Sequence, residues 1–272
     1  MPTGTELIAD VDACDVKHGE AALWWLGQHS FIVKLGPAVV YLDPYLSPRK
    51  SRLVPPLLRP KEVTNAALIT ASHDHSDHID RPVWPALAKA SPNAQFVLAE
   101  LLRERLAEEL SMPVARFVGL SDGTSATVGG VKITGIAAAH EFLDRDPTTG
   151  LYPHLGYVLE GNGCTLYHSG DCCIYEGLQT KLRQWRFDAV ILPINGRDAT
   201  RYASGCIGNM TYQEAADLAG ALEPRLTIPA HYDMFANNLG DPAAFSDYMR
   251  AKYPKLKVHV CRHGERFVLR GS

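Results

Sequence analysis

Residues 67–71 (Ala-Leu-Ile-Thr-Ala) make a continuous apolar run that reads as a buried strand, and one serine separates it from His73-Asp74-His75-Ser76-Asp77-His78. Along a strand, successive side chains point to opposite faces. Four potential ligands in six positions therefore converge only if the strand stops at Ser72 and the polar word occupies a turn. A single histidine here would read as an ordinary loop residue. Three histidines and an aspartate directly after a buried strand read as part of a divalent-metal site, because imidazole and carboxylate both serve Zn²⁺ and Mn²⁺. Such a cluster needs a rigid scaffold to present it, and a sheet edge is the natural one.

The rest of the chain supplies that scaffold. From residue 20, short β-like runs alternate with turn signals, at 22–26, 31–35 and 39–42 and again at 115–120, 125–128 and 131–138. Further runs fall at 155–159, 164–167, 189–194, 226–229, 257–260 and 266–269. Helices are expected over 81–90, 99–110, 177–185, 211–222 and 242–253, and Thr211 with Glu214 three residues on fits an N-terminal capping box. The Pro- and Arg-rich stretch 47–62 reads as a surface loop. No composition break, low-complexity segment or repeat interrupts the pattern, so residues 1–272 are expected to form one α/β (α+β) domain of two packed sheets with helices outside.

Three of the expected strands end beside another candidate ligand: His140, Asp171 and His231. Each alone passes for a turn or loop residue; together with the first cluster they form a set. Arg197 and Arg201 lie on a glycine-containing loop after a strand, where a guanidinium suits a phosphate or carboxylate and equally suits solvent. His154 is a candidate for substrate contact or proton donation, with packing the plainer alternative, and His168 reads as a buttress for the Asp171 loop. The six cysteines are scattered without a C-x-x-C word, which points to reduced, packed thiols.

Charge narrows the partners. Lys and Arg total 27 against 30 Asp and Glu, and no basic arm is present for a nucleic-acid backbone. No apolar stretch approaches the roughly 20 residues that a bilayer span requires. The acidic, polar start is not that of a secretory signal. A small-molecule substrate is expected, with neither nucleic acid nor membrane.

The set His73-x-His75-x-Asp77-His78, His140, Asp171 and His231 resembles the metallo-β-lactamase superfamily. The resemblance implies a four-layer αββα sandwich with the metal site at one sheet edge. It implies His73, His75 and His140 on a first divalent metal, Asp77, His78 and His231 on a second, and Asp171 between them. The words Trp24-Trp25-Leu26-Gly27, Ser72 through Asp80, Leu166-Tyr167-His168-Ser169-Gly170-Asp171, Asn209-Met210-Thr211 and Ile228-Pro229-Ala230-His231 are most similar to the L-ascorbate-6-phosphate lactonase group. That likeness implies one or two Mn²⁺ or Zn²⁺ ions per chain and a cytoplasmic homo-oligomer in carbohydrate metabolism. The implied reaction opens a small, phosphorylated sugar lactone by attack of metal-bound hydroxide, with Asp77 as the catalytic group that orients the nucleophile. A phosphodiesterase or nuclease on the same scaffold is the alternative, since nuclease members share the histidine word.

Overall fold

The computed structural model describes residues 2–271. After helix α1 (Gly4–Ala13), an antiparallel meander β1 (Ala21–Gly27), β2 (Ser30–Leu35) and β3 (Ala38–Leu42) leads to the short β4 (Leu68–Thr70). Helix α2 (Trp84–Ala90), β5 (Gln95–Ala99), α3 (Glu100–Glu109), β6 (Phe117–Leu120), β7 (Ser125–Val128) and β8 (Val131–Ala137) follow. The hairpin β9 (Leu155–Gly161) and β10 (Cys164–His168) precedes α4 (Leu178–Leu182), β11 (Ala189–Pro193) and α5 (Ala199–Ala203). The chain ends with α6 (Tyr212–Leu222), β12 (Thr227–Ala230), α7 (Pro242–Lys252) and β13 (Arg266–Leu269).

Two sheets share one buried apolar core. The first has the order β13-β1-β2-β3-β4-β5-β6 and the second β12-β11-β10-β9-β8-β7. Strands β1, β2 and β3 bury every residue, so they read as unbroken apolar runs and not as alternating ones. Helix α3 packs on β5 and β6 outside the first sheet; α6 packs on β11, and on α4 and α7, outside the second. This is the mixed, two-sheet architecture expected from the sequence.

Strand direction places the site. Strand β9 is antiparallel to both β8 and β10, while β10, β11 and β12 are parallel. Strands β8, β10 and β12 therefore all point their C-terminal ends to one edge, and His140, Asp171 and His231 each follow such an end. Two links bring β4 to that edge: Leu155 N–H donates to Ser72 O at 2.9 Å, and the Tyr157 hydroxyl donates to Ala71 O at 2.7 Å.

Several elements differ from expectation. Helix α1 was not anticipated; Leu7, Ile8 and Val11 bury one face, and Lys34 Nζ donates to the Val11 and Asp12 carbonyls at its end. Strand β5 was also missed, though it is paired on both sides. Residues 257–260 make no strand, because only one bridge, Thr227 to Val258, forms there. The 47–62 segment is the expected loop, with one 3₁₀ turn at Pro60–Glu62. Among the described residues all cysteines are free, and no helix is long and apolar enough to cross a membrane.

Candidate metal centre

The loop after β4 closes on itself. The N–H groups of His78 and Ile79 both donate to His75 O, at 3.0 and 2.7 Å. This turn swings His73, His75 and His78 toward one point where an extended strand would separate them. Glycine 170, at φ +59°, lets the Asp171 loop come close, since a Cβ there would lie 2.5 Å from Ser72 Cβ. His231 itself adopts a left-handed backbone at φ +57°, as do Asp43 and Gln28 beneath the site, and such non-glycine residues persist only where the surroundings hold them.

The seven candidate ligands meet. His73 Nε2 lies 2.8 Å from His75 Nδ1, and His140 Nε2 lies 3.2 Å from the same atom. Asp77 Oδ2 is 3.6 Å from His78 Nε2 and 3.7 Å from His231 Nε2. The Asp171 carboxylate faces both groups: Oδ1 is 3.3 Å from His78 Nε2, while Oδ2 is 3.1 Å from His231 Nε2 and 3.7 Å from His140 Nε2. Within each of the trios His73/His75/His140, His73/His78/Asp171 and Asp77/His78/His231, ligand atoms lie within 4.8 Å of one another.

The donor set fits divalent cations. Buried polar atoms ordinarily have hydrogen-bond partners, yet His78 Nε2 and Asp171 Oδ1 are buried here without one. Burial depresses His73, with His78 adding to it, and it holds His75 down and His140 at about 4, so these three are neutral imidazoles at pH 7, the form that ligates. His78 and His231 behave oppositely. Burial works against their charge, but Asp171 and Asp77 raise both above the ordinary histidine range. For Asp171 burial likewise opposes ionisation, and His231 and His78 hold it well below the usual carboxylate range. Protons on His78 and His231 thus balance two carboxylates, at positions where cations would do the same.

Two supports escaped the sequence reading. Asp43 is buried at the end of β3; its Oδ2 lies 2.6 Å from His78 Nδ1 and accepts from Ser72 Oγ at 2.5 Å, and its Oδ1 accepts from Ser72 N–H at 3.0 Å. Gln28 Nε2 donates to Asp77 Oδ2 at 2.9 Å and lies 3.0 Å from His231 Nε2. His168, expected as a buttress for the Asp171 loop, is buried with Nε2 2.9 Å from His29 O, on the turn after β1.

The substrate-handling candidates divide. The His154 ring stands 5.5 Å from that of His73 and 5.6 Å from that of His140, beside the cluster. Neither arginine reaches the cavity. Arg197 is held by Glu214 at 2.6 and 2.8 Å, and Arg201 by Asp198 and the Asn195 carbonyl at 2.6 and 2.7 Å. The cavity over the cluster has a volume of about 410 Å³, with His75, Asp77, His140, Asp171 and His231 on its floor.

Comparison with known proteins agrees with this fold. The sequence profile of the beta-lactamase superfamily domain matches residues 39–232. A UPF0173 metal-dependent hydrolase from Sulfurisphaera tokodaii is 29% identical over 82% of this chain and 89% of its own length. One from Caldivirga maquilingensis is 28% identical over 89% of this chain and 96% of its own. Among solved structures, the metallo hydrolase Igni18 from Ignicoccus hospitalis is similar with a TM-score of 0.69 at 21% identity, covering 92% of this chain and 98% of its own. The isothiocyanate hydrolase from Delia radicum gut bacteria is similar with a TM-score of 0.69 at 16% identity, over 90% of this chain and 98% of its own.

Proposed function

The chain belongs to the beta-lactamase superfamily, and from that premise we propose that it is a metal-dependent hydrolase that opens a small lactone. The observation that carries the hydrolase reading is the meeting of His73, His75, Asp77, His78, His140, Asp171 and His231 from both sheets around buried, unpartnered ligand atoms. The names of the UPF0173 relatives support it. The lactone reading rests on the sequence words shared with the ascorbate-6-phosphate lactonase group. The same reading takes a small-molecule substrate, Mn²⁺ or Zn²⁺, and a homo-oligomer in the cytoplasm.

In this reading His73, His75 and His140 would hold one divalent cation and Asp77, His78 and His231 a second, with the Asp171 carboxylate facing both groups. When bound, such cations polarise a scissile carbonyl and lower the pKa of a water molecule to about 7 in favourable sites. The chain's own groups do the rest. Asp77 is kept below the carboxylate range by His78 and His231 against the opposing effect of burial, so it stays ionised and acts by orienting the attacking water. Gln28 fixes Asp77 through Oδ2, leaving Oδ1 to accept the water's hydrogen bond. The leaving oxygen remains tethered in the opened chain, and His154, held below the ordinary histidine range by burial, stands beside the cluster as a neutral imidazole.

The test is a hydrolysis panel on metal-loaded protein, with lactones bearing or lacking a phosphate set against bis-p-nitrophenyl phosphate. Lactone opening is expected, and His73→Ala should lose both metal and turnover. Turnover of the phosphodiester alone would overturn the lactone reading in favour of a phosphodiesterase.

A further inference from the structure

Above its metal-binding floor, the cavity is walled by two loops. One spans 204–207 and contributes Ile207; the other spans 235–238 and contributes Phe235 and Asn238. Among the described residues lining it there is no lysine or arginine. Arg197 and Arg201 stand outside the lining with their charge matched by Glu214 and Asp198, and Arg52, whose backbone bridges to Phe235, turns its guanidinium onto the Tyr45, Ser47 and Val54 carbonyls. Ile207 is 37% exposed and Phe235 half-buried, so both offer apolar surface to whatever enters.

Asn238 supplies a directed polar group. Asn209 Nδ2 donates to Asn195 Oδ1 at 3.2 Å, and Asn195 Nδ2 donates to Asn238 Oδ1 at 2.7 Å. Arg201 donates to the same oxygen at 3.3 Å. Asn238 lines the cavity, and with its oxygen taken twice its amide nitrogen, which has no partner among the described residues, is left as a neutral donor.

We infer that this site selects a neutral, partly apolar carbonyl substrate, gripped by Ile207 and Phe235 and hydrogen-bonded by the Asn238 amide, and rejects one with a second anionic group away from the reacting carbonyl. The physical reason is desolvation. A remote phosphate would lose water against Ile207 and Phe235 and find no cationic side chain in exchange. The inference rests on the hydrolase reading and names its substrate class: a small lactone or cyclic ester with an alkyl or aryl substituent, not a phosphorylated one.

Binding tests this without turnover. Titration calorimetry on metal-loaded protein would compare octanohydroxamate with a hydroxamate of equal length ending in a phosphate. The methyl-ended probe should bind at least about tenfold tighter, the scale set by burying its apolar end where a phosphate must desolvate. Ile207→Lys should narrow that gap to about threefold or less by supplying the missing cation. Asn238→Asp keeps the acceptor for Asn195 and Arg201 but has no donor, and should weaken both probes by about fivefold or more. Equal or tighter binding of the phosphate-ended probe to the wild-type protein overturns the inference and leaves the hydrolase reading standing. Unchanged binding by Asn238→Asp removes that residue's role. If neither probe binds to protein shown by elemental analysis to carry metal, the inference fails; if metal itself is not taken up, the hydrolase reading fails beneath it.

Discussion

Asp43 puts no atom into the cavity, yet Ser72 Oγ, Ser72 N–H, Thr70 Oγ1 and His78 Nδ1 all converge on its carboxylate. It thereby sets which nitrogen of His78 faces the cluster, and a carboxylate there makes the imidazole a better ligand. Asp43→Asn replaces one acceptor oxygen with a donor amide that His78 Nδ1–H cannot use. Metal affinity should fall by about 10–100-fold, the usual effect of losing such a support. Competition with a chromophoric chelator measures this, and unaltered affinity would show that Ser72 alone orients His78. The histidine word was legible in the sequence because its ligands are crowded into one loop after one strand. Asp43 and Gln28 were not, since each lies far along the chain from the ligand it holds, Asp43 35 positions from His78 and Gln28 49 from Asp77. Arg197 misled for a related reason: Glu214, which neutralises it, lies 17 residues away on another element. Arg201 was more readable, because its partner Asp198 is three residues back at the start of the same short helix.

Helix α6 formed where its capping signal placed it. The Thr211 hydroxyl accepts from Glu214 N–H at 3.2 Å, and the Glu214 carboxylate accepts from Thr211 N–H at 2.9 Å. The same carboxylate holds Arg197, so one side chain ties the start of the helix to the loop after β11. Glu214→Gln keeps the cap, which glutamine also makes, and removes only the ion pair. With side chains 36% and 31% exposed the pair is partly screened, and its loss should cost about 0.5–1 kcal/mol at pH 7. Arg197 lowers the Glu214 pKa in the folded protein, so this contribution is complete above the ordinary glutamate value of about 4.3 and disappears as pH falls through the lowered one. Denaturant titrations should show wild type and variant separated at pH 7 and coincident near pH 2; a gap that persists in acid would mean the cap itself was damaged. Helix α1 and strand β5 left weaker traces. The apolar face of α1 is only Leu7, Ile8 and Val11 among four acidic or polar neighbours, and β5 is a five-residue run wedged before a helix. At 257–260 the alternation was present, but β12 on that side accepts only a single bridge at Val258, so the pattern found no ladder to join.

At the scale of the whole molecule, the cluster is a joint between sheets. His73, His75, Asp77 and His78 follow β4 of the first sheet, whereas His140, Asp171 and His231 follow β8, β10 and β12 of the second. A cation held by both sets links them at one edge only. The opposite edge has its own fastening, where the β9–β10 turn is pinned to the segment before β1: Asn162 Nδ2 donates to Lys17 O and Glu20 O at 2.8 and 2.9 Å, and Gly19 N–H donates to Asn162 O at 2.7 Å. Without metal, this edge keeps its direct links, Leu155 N–H to Ser72 O and the Tyr157 hydroxyl to Ala71 O, but the like-charged groups of the cluster lose the cations between them, so the site edge should be the first to open. Metal at a thousandfold excess over its dissociation constant should stabilise the native state by about 4 kcal/mol. Chelation should therefore lower the melting temperature, and hydrogen exchange should quicken selectively in the amides of 72–79, 171–173 and 231 while those around Asn162 keep their protection. A uniform loss of protection at both edges would mean that the metal stabilises the fold as a whole and not as a joint. No change at either edge would mean that the seven side chains do not share a cation across the sheets.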